Sequence, residues 1–227
     1  MTTKPCPPLE DRITKSLLGY GVIAGPVYLI VVALQAVTRE GFDPARHDAS
    51  LLSNGSLGWI QIANFVVTGV MTIAAGVGVR RALGTGAAAT WSGWLVVGYG
   101  VGIVAAGLFR ADPSLGFPPG TPAGRGSVSW HGMLHLVSAS AGFLCLIAAC
   151  FVVASWFSRD GRRGWAWYSR LTGAAFAAGF AAIASGSSSP VVVVVFSVSV
   201  VIAWAWLTAI SVKLYRNVAK AAVPQPR

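Results

Sequence analysis

The 227-residue sequence is 55% hydrophobic and 11% charged, with a formal net charge of +10 and a mean hydropathy of +0.66. This composition lies outside the range of soluble globular domains and predicts an integral membrane protein. It also excludes nucleic acid as the partner of the basic balance, because the cations are spread over short segments without an aromatic-interleaved patch.

Residues 1–16 read as a short, Pro-bearing tail. Six apolar stretches follow, at about 17–37, 57–79, 91–109, 131–157, 168–186 and 190–212. Each is close to the roughly 20 helical residues that cross a hydrocarbon core of about 30 Å. Helices are required because backbone N–H and C=O groups must pair internally in lipid, and no stretch shows the two-residue alternation of a barrel strand. The expected fold is therefore all-α, a polytopic six-helix transmembrane bundle, ending in a tail at 213–227.

The first stretch, about 21 residues long, exceeds the usual 7–15 of a signal-peptide core, and Gly25-Pro26 is expected to kink it. The connection at 38–56 carries Arg46, His47 and Asp48, then Ser53-Asn54-Gly55-Ser56 as cap candidates for the second helix. Gln61 and Asn64 fall in that helix's first turns. Small residues recur every four positions in the third helix (Gly98, Gly102, Ala106), begin such a row in the fourth (Ser138, Gly142) and return in the fifth (Ala174, Ala178, Ala182). This spacing lets backbones approach closely. A second long connection, 110–128, carries Arg110 and Asp112, and WHGMLH opens the fourth helix with His131 and His135. The fifth stretch is the weakest span, rich in Ala and Gly; packing by its neighbours is expected to hold it. Cys145 and Cys150, five apart on one helix, suggest neither disulfide nor metal site.

Of the seventeen Lys and Arg residues, only Arg39, Arg46, Arg110 and Arg125 fall on the side of the two long connections. The positive-inside rule then places both termini in the cytoplasm of a cell-membrane protein, and the charge reports topology and contact with anionic lipids.

Polar residues within the spans gather toward the side of the long connections. Because such groups are costly in lipid unless they face the bundle interior, an outward-facing polar pocket is expected. Its expected ligand-binding residues are Arg46, His47, Asp48, Gln61, Asn64, Arg110, Asp112, His131 and His135. Histidines at i and i+4 share a helical face, so His131, His135 and His47, with Asp112 or Asp48 as the carboxylate, form a candidate zinc set. The alternative for the histidines is a structural or ligand-contacting polar network. Cross-loop pairs, Arg46 with Asp112 or Arg110 with Asp48, would tie the connections together. No GxSxG elbow surrounds the serines, which are better explained as helix caps.

The segments FDPARHDASLLSNGSLGWIQIANF, GLFRADPSLGFPPGTP and WHGMLH together resemble the bacterial, especially actinobacterial, membrane proteins grouped as domain of unknown function 998, over roughly residues 17–212. The resemblance implies a six-helix membrane protein without an established activity. The HxxxH pair, a third histidine and an aspartate are also similar to the ceramidase and adiponectin-receptor-like zinc hydrolases, although span count and motif order depart from that pattern. Two functions are thus expected: a pocket binding a small molecule or lipid headgroup, or a zinc-dependent membrane hydrolase with metal-bound water as nucleophile.

Overall fold

The computed structural model describes residues 8–124 and 126–221. Six α-helices carry the fold: α1 (Leu9–Thr38), α2 (Gly58–Leu83), α3 (Ala87–Leu108), α4 (Trp130–Arg159), α5 (Arg163–Ala184) and α6 (Pro190–Ala221). There is no strand among the described residues, only a short 3₁₀ turn at Ala49–Ser53 between α1 and α2. Five of the helices are long and apolar enough to cross a membrane; α5 is the exception. The helices extend beyond the apolar stretches, so residues 9–16 and 213–221 are helical rather than tail. The rest of the two tails, 1–7 and 222–227, lies outside the described residues. Pro26 sits inside α1, which runs through it unbroken.

Each helix packs against its neighbours in sequence, and α6 returns to α1, so the six form a closed ring. Small residues set the seams. A Cβ on Gly102 would lie 2.7 Å from the Gly142 Cα and 2.8 Å from the Ser138 carbonyl, joining α3 to α4 along the expected rows. Gly76 and Gly69 of α2 similarly meet Val97 and Gly100 of α3. In α5 the expected row is displaced. Ala174 and Ala178 are exposed, while Gly173 faces Cys150 and Phe151 of α4 and Gly179 meets Ser199 of α6. Leu171, at 63% exposure, shares that outward face. Recurrence of small residues marked the helix as packed but did not tell which of its small residues make the seam.

The ring is filled at the end bearing the chain termini. There Leu18, Val79, Leu146, Phe157, Trp206, Leu207, Ile210 and Leu214 are almost wholly buried. At the opposite end, which carries the long connections 39–57 and 109–129, the centre of the ring is open.

Candidate functional site: an apolar cavity with a polar rim

The cavity has a volume of about 470 Å³ and takes lining residues from all six helices. Its floor is aromatic. Tyr28 of α1 stacks on Trp204 of α6 at 4.9 Å between ring centroids, and Tyr99 of α3 lies 5.7 Å from the same indole. The walls are apolar, with Val32, Ile103, Leu136, Phe143, Phe180 and Val200 among them. Polar groups come at the loop end, where Arg46, Asp48, Ser50, Asp112, Ser187 and Ser188 line the rim. The expectation of a polar pocket is therefore corrected: the lining is largely apolar, and its polar groups are those of the rim with His135, Ser140 and Ser197 below them. The physical reason lies in the helix seams, which absorb the polar groups of the spans.

Gln61 and Asn64 show this directly, since neither lines the cavity. The Gln35 side-chain amide donates to Gln61 Oε1 at 2.8 Å, and Asn64 Nδ2 donates to the Tyr28 carbonyl at 3.2 Å and to Gln61 Oε1 at 3.3 Å. All three side chains are buried between α1 and α2. Amide pairs of this kind hold helices together where the hydrophobic effect cannot.

The expected three-histidine metal set is not assembled. Among the described residues no group of three or more His, Cys, Asp or Glu side chains is placed to hold a metal ion. His47 is 4% exposed, and both its nitrogens are engaged. Nδ1 accepts from the Asp43 N–H at 2.9 Å, which leaves the proton on Nε2 to donate to the Leu115 carbonyl at 3.0 Å. His135 uses Nδ1–H as a shared donor to the carbonyls of Ala106, at 2.7 Å, and Phe109, at 2.9 Å. This closes the end of α3 against α4 and leaves Nε2 as the lone-pair nitrogen of a residue that lines the cavity. His131, one turn away, is exposed on the outside of the ring, against Trp130 and Phe109. The i, i+4 spacing brings the two rings near one helical face, but only His135 falls on the cavity side.

The cross-loop ion pairs are also replaced. Among the described residues the one salt bridge is Arg162–Asp160, far from the rim. Asp112 instead accepts from Ser129 N–H at 2.7 Å and Ser129 Oγ at 2.6 Å, while Ser129 Oγ caps the start of α4 by accepting from Gly132 N–H. Asp48 accepts from Ser50 N–H and starts the 3₁₀ turn. Helix α2 begins without a side-chain cap, because Ser53 and Asn54 bond back to Ser50 and Leu51 of that turn. Arg46 and Arg110 are exposed, and of the two only Arg46 lines the cavity.

Two residues that the sequence reading passed over tie the connections together. Phe117, wholly buried, inserts against Leu51 and Leu52 and meets Phe42 edge-on at 5.2 Å. Arg39 lies over the Phe117 ring at 5.3 Å and donates to the carbonyls of Leu52, at 3.1 Å, and Asn54, at 2.5 Å. With the His47–Leu115 bond, these contacts make one folded cap beside the cavity mouth. Leu115 adopts a φ of 57°, unusual for a residue with a Cβ, as its carbonyl accepts from His47. In sequence, Arg39 is one of four cations on the side of the long connections, and Phe117 is one residue of the second of them. Their pairing depends on contacts about 80 residues apart that no local spacing displays.

No curated protein and no solved structure matches the chain. Residues 22–213 match the family described as protein of unknown function, DUF998. The match spans the ring of helices, the cap and the cavity, and the chain belongs to the DUF998 family.

Proposed function

We propose that this is a six-span membrane protein, with both termini in the cytoplasm, whose cavity opens toward the outside and binds one alkyl chain of a membrane amphiphile with its polar head at the rim. The observation that carries this reading is the cavity itself: about 470 Å³, apolar in its walls and ringed by polar groups at one end. Sites for drug-sized ligands occupy about 300–1,000 Å³ and have the same pattern of apolar lining with a few convergent polar groups.

The sixth span is supported by α5, which follows α4 along its whole length. Trp165 stacks on Phe157, Gly173 faces Cys150, and Phe176 and Phe180 both meet Phe143. Neighbours on either side let an Ala- and Gly-rich helix remain in lipid. An even number of spans puts both termini on one side, and the distribution of Lys and Arg makes that side the cytoplasm.

A chain that moves from the bilayer into this cavity exchanges one apolar surrounding for another, so hydrophobic transfer contributes little net affinity. Shape and head contacts must therefore select the ligand. Arg46 supplies a cation, Asp48 and the rim serines supply acceptors and hydroxyls, and His135 adds its lone-pair nitrogen deeper in. The test is native mass spectrometry of protein released from nanodiscs with a lipid mixture. One amphiphile per chain should remain bound to the wild type and be lost from Ala139→Trp, which fills the cavity, without loss of thermal stability. Equal retention by both proteins would refute the assignment.

A further inference from the structure

We infer that the cavity is reached sideways from the lipid, through a gap between the loop-end halves of α1 and α6, so that its occupant is a chain supplied by the surrounding bilayer. This rests on the chain-binding reading above and adds the route. Helices α1 and α6 run antiparallel and touch closely over their terminal-end halves. Gly21 lies against Ser211, Gly25 against Thr208, and Tyr28 against Trp204. Beyond Trp204, toward the loop end, the stripe in line with Ser211 and Trp204 continues through half-buried Ser197 to Val193, which is 2% exposed, while Val201 and Val194 at its edge are 47% and 42% exposed. Val32 of α1 and Val201 of α6 both line the cavity beyond that point.

The other seams are bridged toward the loop end. Gln35 bonds Gln61 between α1 and α2, and Gly107 meets Phe65 between α2 and α3. His135 bonds the last carbonyls of α3 from α4. Phe143 joins α4 to Phe180 of α5 and Phe196 of α6, and Gly179 closes α5 on Ser199. Between α1 and α6, by contrast, no hydrogen bond or ring contact among the described residues lies beyond Tyr28–Trp204. Val32 on α1 and Val201 on α6 flank this unbridged stretch. An opening edged by valine at membrane depth suits an alkyl chain and repels a hydrated solute.

The experiment follows uptake of cis-parinaric acid, a fluorescent single-chain fatty acid, by full-length protein in phosphatidylcholine vesicles, with energy transfer from tryptophan as the signal. Val201→Phe and Val32→Phe, one on each side of the gap, should each slow displaceable uptake by roughly tenfold or more, because association slows when it requires a conformational change. Val198→Phe, on the lipid side of α6 at 52% exposure, should leave the rate unchanged. Both gap variants should keep the wild-type melting temperature in detergent, which shows that they fold, and the route is read from the rate of approach to the plateau rather than from its height. Unchanged uptake rates in both, or slowing by Ser50→Phe at the rim instead, would overturn the lateral route while leaving the cavity assignment intact. Absence of displaceable binding to the wild type would overturn the chain-binding reading and the route together.

Discussion

Removing the Phe117 ring should loosen the cap without unfolding the ring of helices. Phe117 is wholly buried and packed against Leu51, Leu52, Phe42 and the Arg39 guanidinium. Large-to-small changes of a buried Phe cost about 3–5 kcal/mol, since both transfer and cavity terms are lost. That figure already contains the edge-on ring pair and the cation–π contact, so they are not added to it. The loss falls mainly on the cap, because Phe117 belongs to its own cluster, which shares Val32 of α1 with the transmembrane core. It should therefore appear as local opening. At 1.4 kcal/mol per decade, the lower bound of about 3 kcal/mol corresponds to roughly a hundredfold change in an opening equilibrium. The reporters are the His47 N–H, bonded to the Asp43 carbonyl at 2.8 Å, and the Asn54 N–H, bonded to the Leu51 carbonyl at 3.0 Å. Hydrogen exchange followed by mass spectrometry should show residues 42–54 of Phe117→Ala exchanging about a hundredfold faster, with α3 and α4 unchanged. Acceleration below about tenfold would refute the claim that Phe117 pins the cap.

Three further outcomes are expected. Gly102→Ala places a methyl against the Gly142 backbone and should destabilise the protein by about 1–3 kcal/mol, read as a lowered melting temperature in detergent; Gly164→Ala, with open space around its Cβ, should not. Gln61→Leu should destabilise by about 1–3 kcal/mol, because the buried Gln35 amide keeps only the longer bond to the Val31 carbonyl and Asn64 loses one of its two acceptors, while adding Gln35→Leu should recover part of that loss in a double-mutant cycle. In a cysteine-free background, Ser56→Cys should react with an impermeant maleimide in intact cells, whereas Gly161→Cys should react only after permeabilisation; the reverse pattern would invert the proposed orientation.

The helices were legible because lipid imposes a coarse rule, long apolar runs, that each stretch obeys or nearly obeys. Their ends were not, since residues 9–16 and 213–221 continue as helix into polar sequence. The α3–α4 seam was legible in Gly102 and Gly142. Position along the helices was legible for these nine residues, which all lie at the loop end or in the helix halves beside it. Direction was not. Arg46, His47, Asp48, Asp112 and His135 line the cavity, whereas Gln61, Asn64, Arg110 and His131 do not. Helical spacing tells which residues share a face, and it leaves open whether that face turns to a seam, to lipid or to the centre. The floor was missed because Tyr28, Tyr99 and Trp204 in apolar spans look like any packed aromatics. Only the closure of the ring sets all three beneath one void.

The most direct test of the central claim is to locate the tail of a bound chain. A fatty acid with a diazirine near its methyl end, photolysed with the protein in vesicles, should crosslink to peptides that contain Tyr28, Tyr99 or Trp204, and Ala139→Trp should remove those adducts. Crosslinks confined to lipid-facing positions such as Leu34, Val37 and Leu144, equal in both proteins, would contradict a chain-binding cavity.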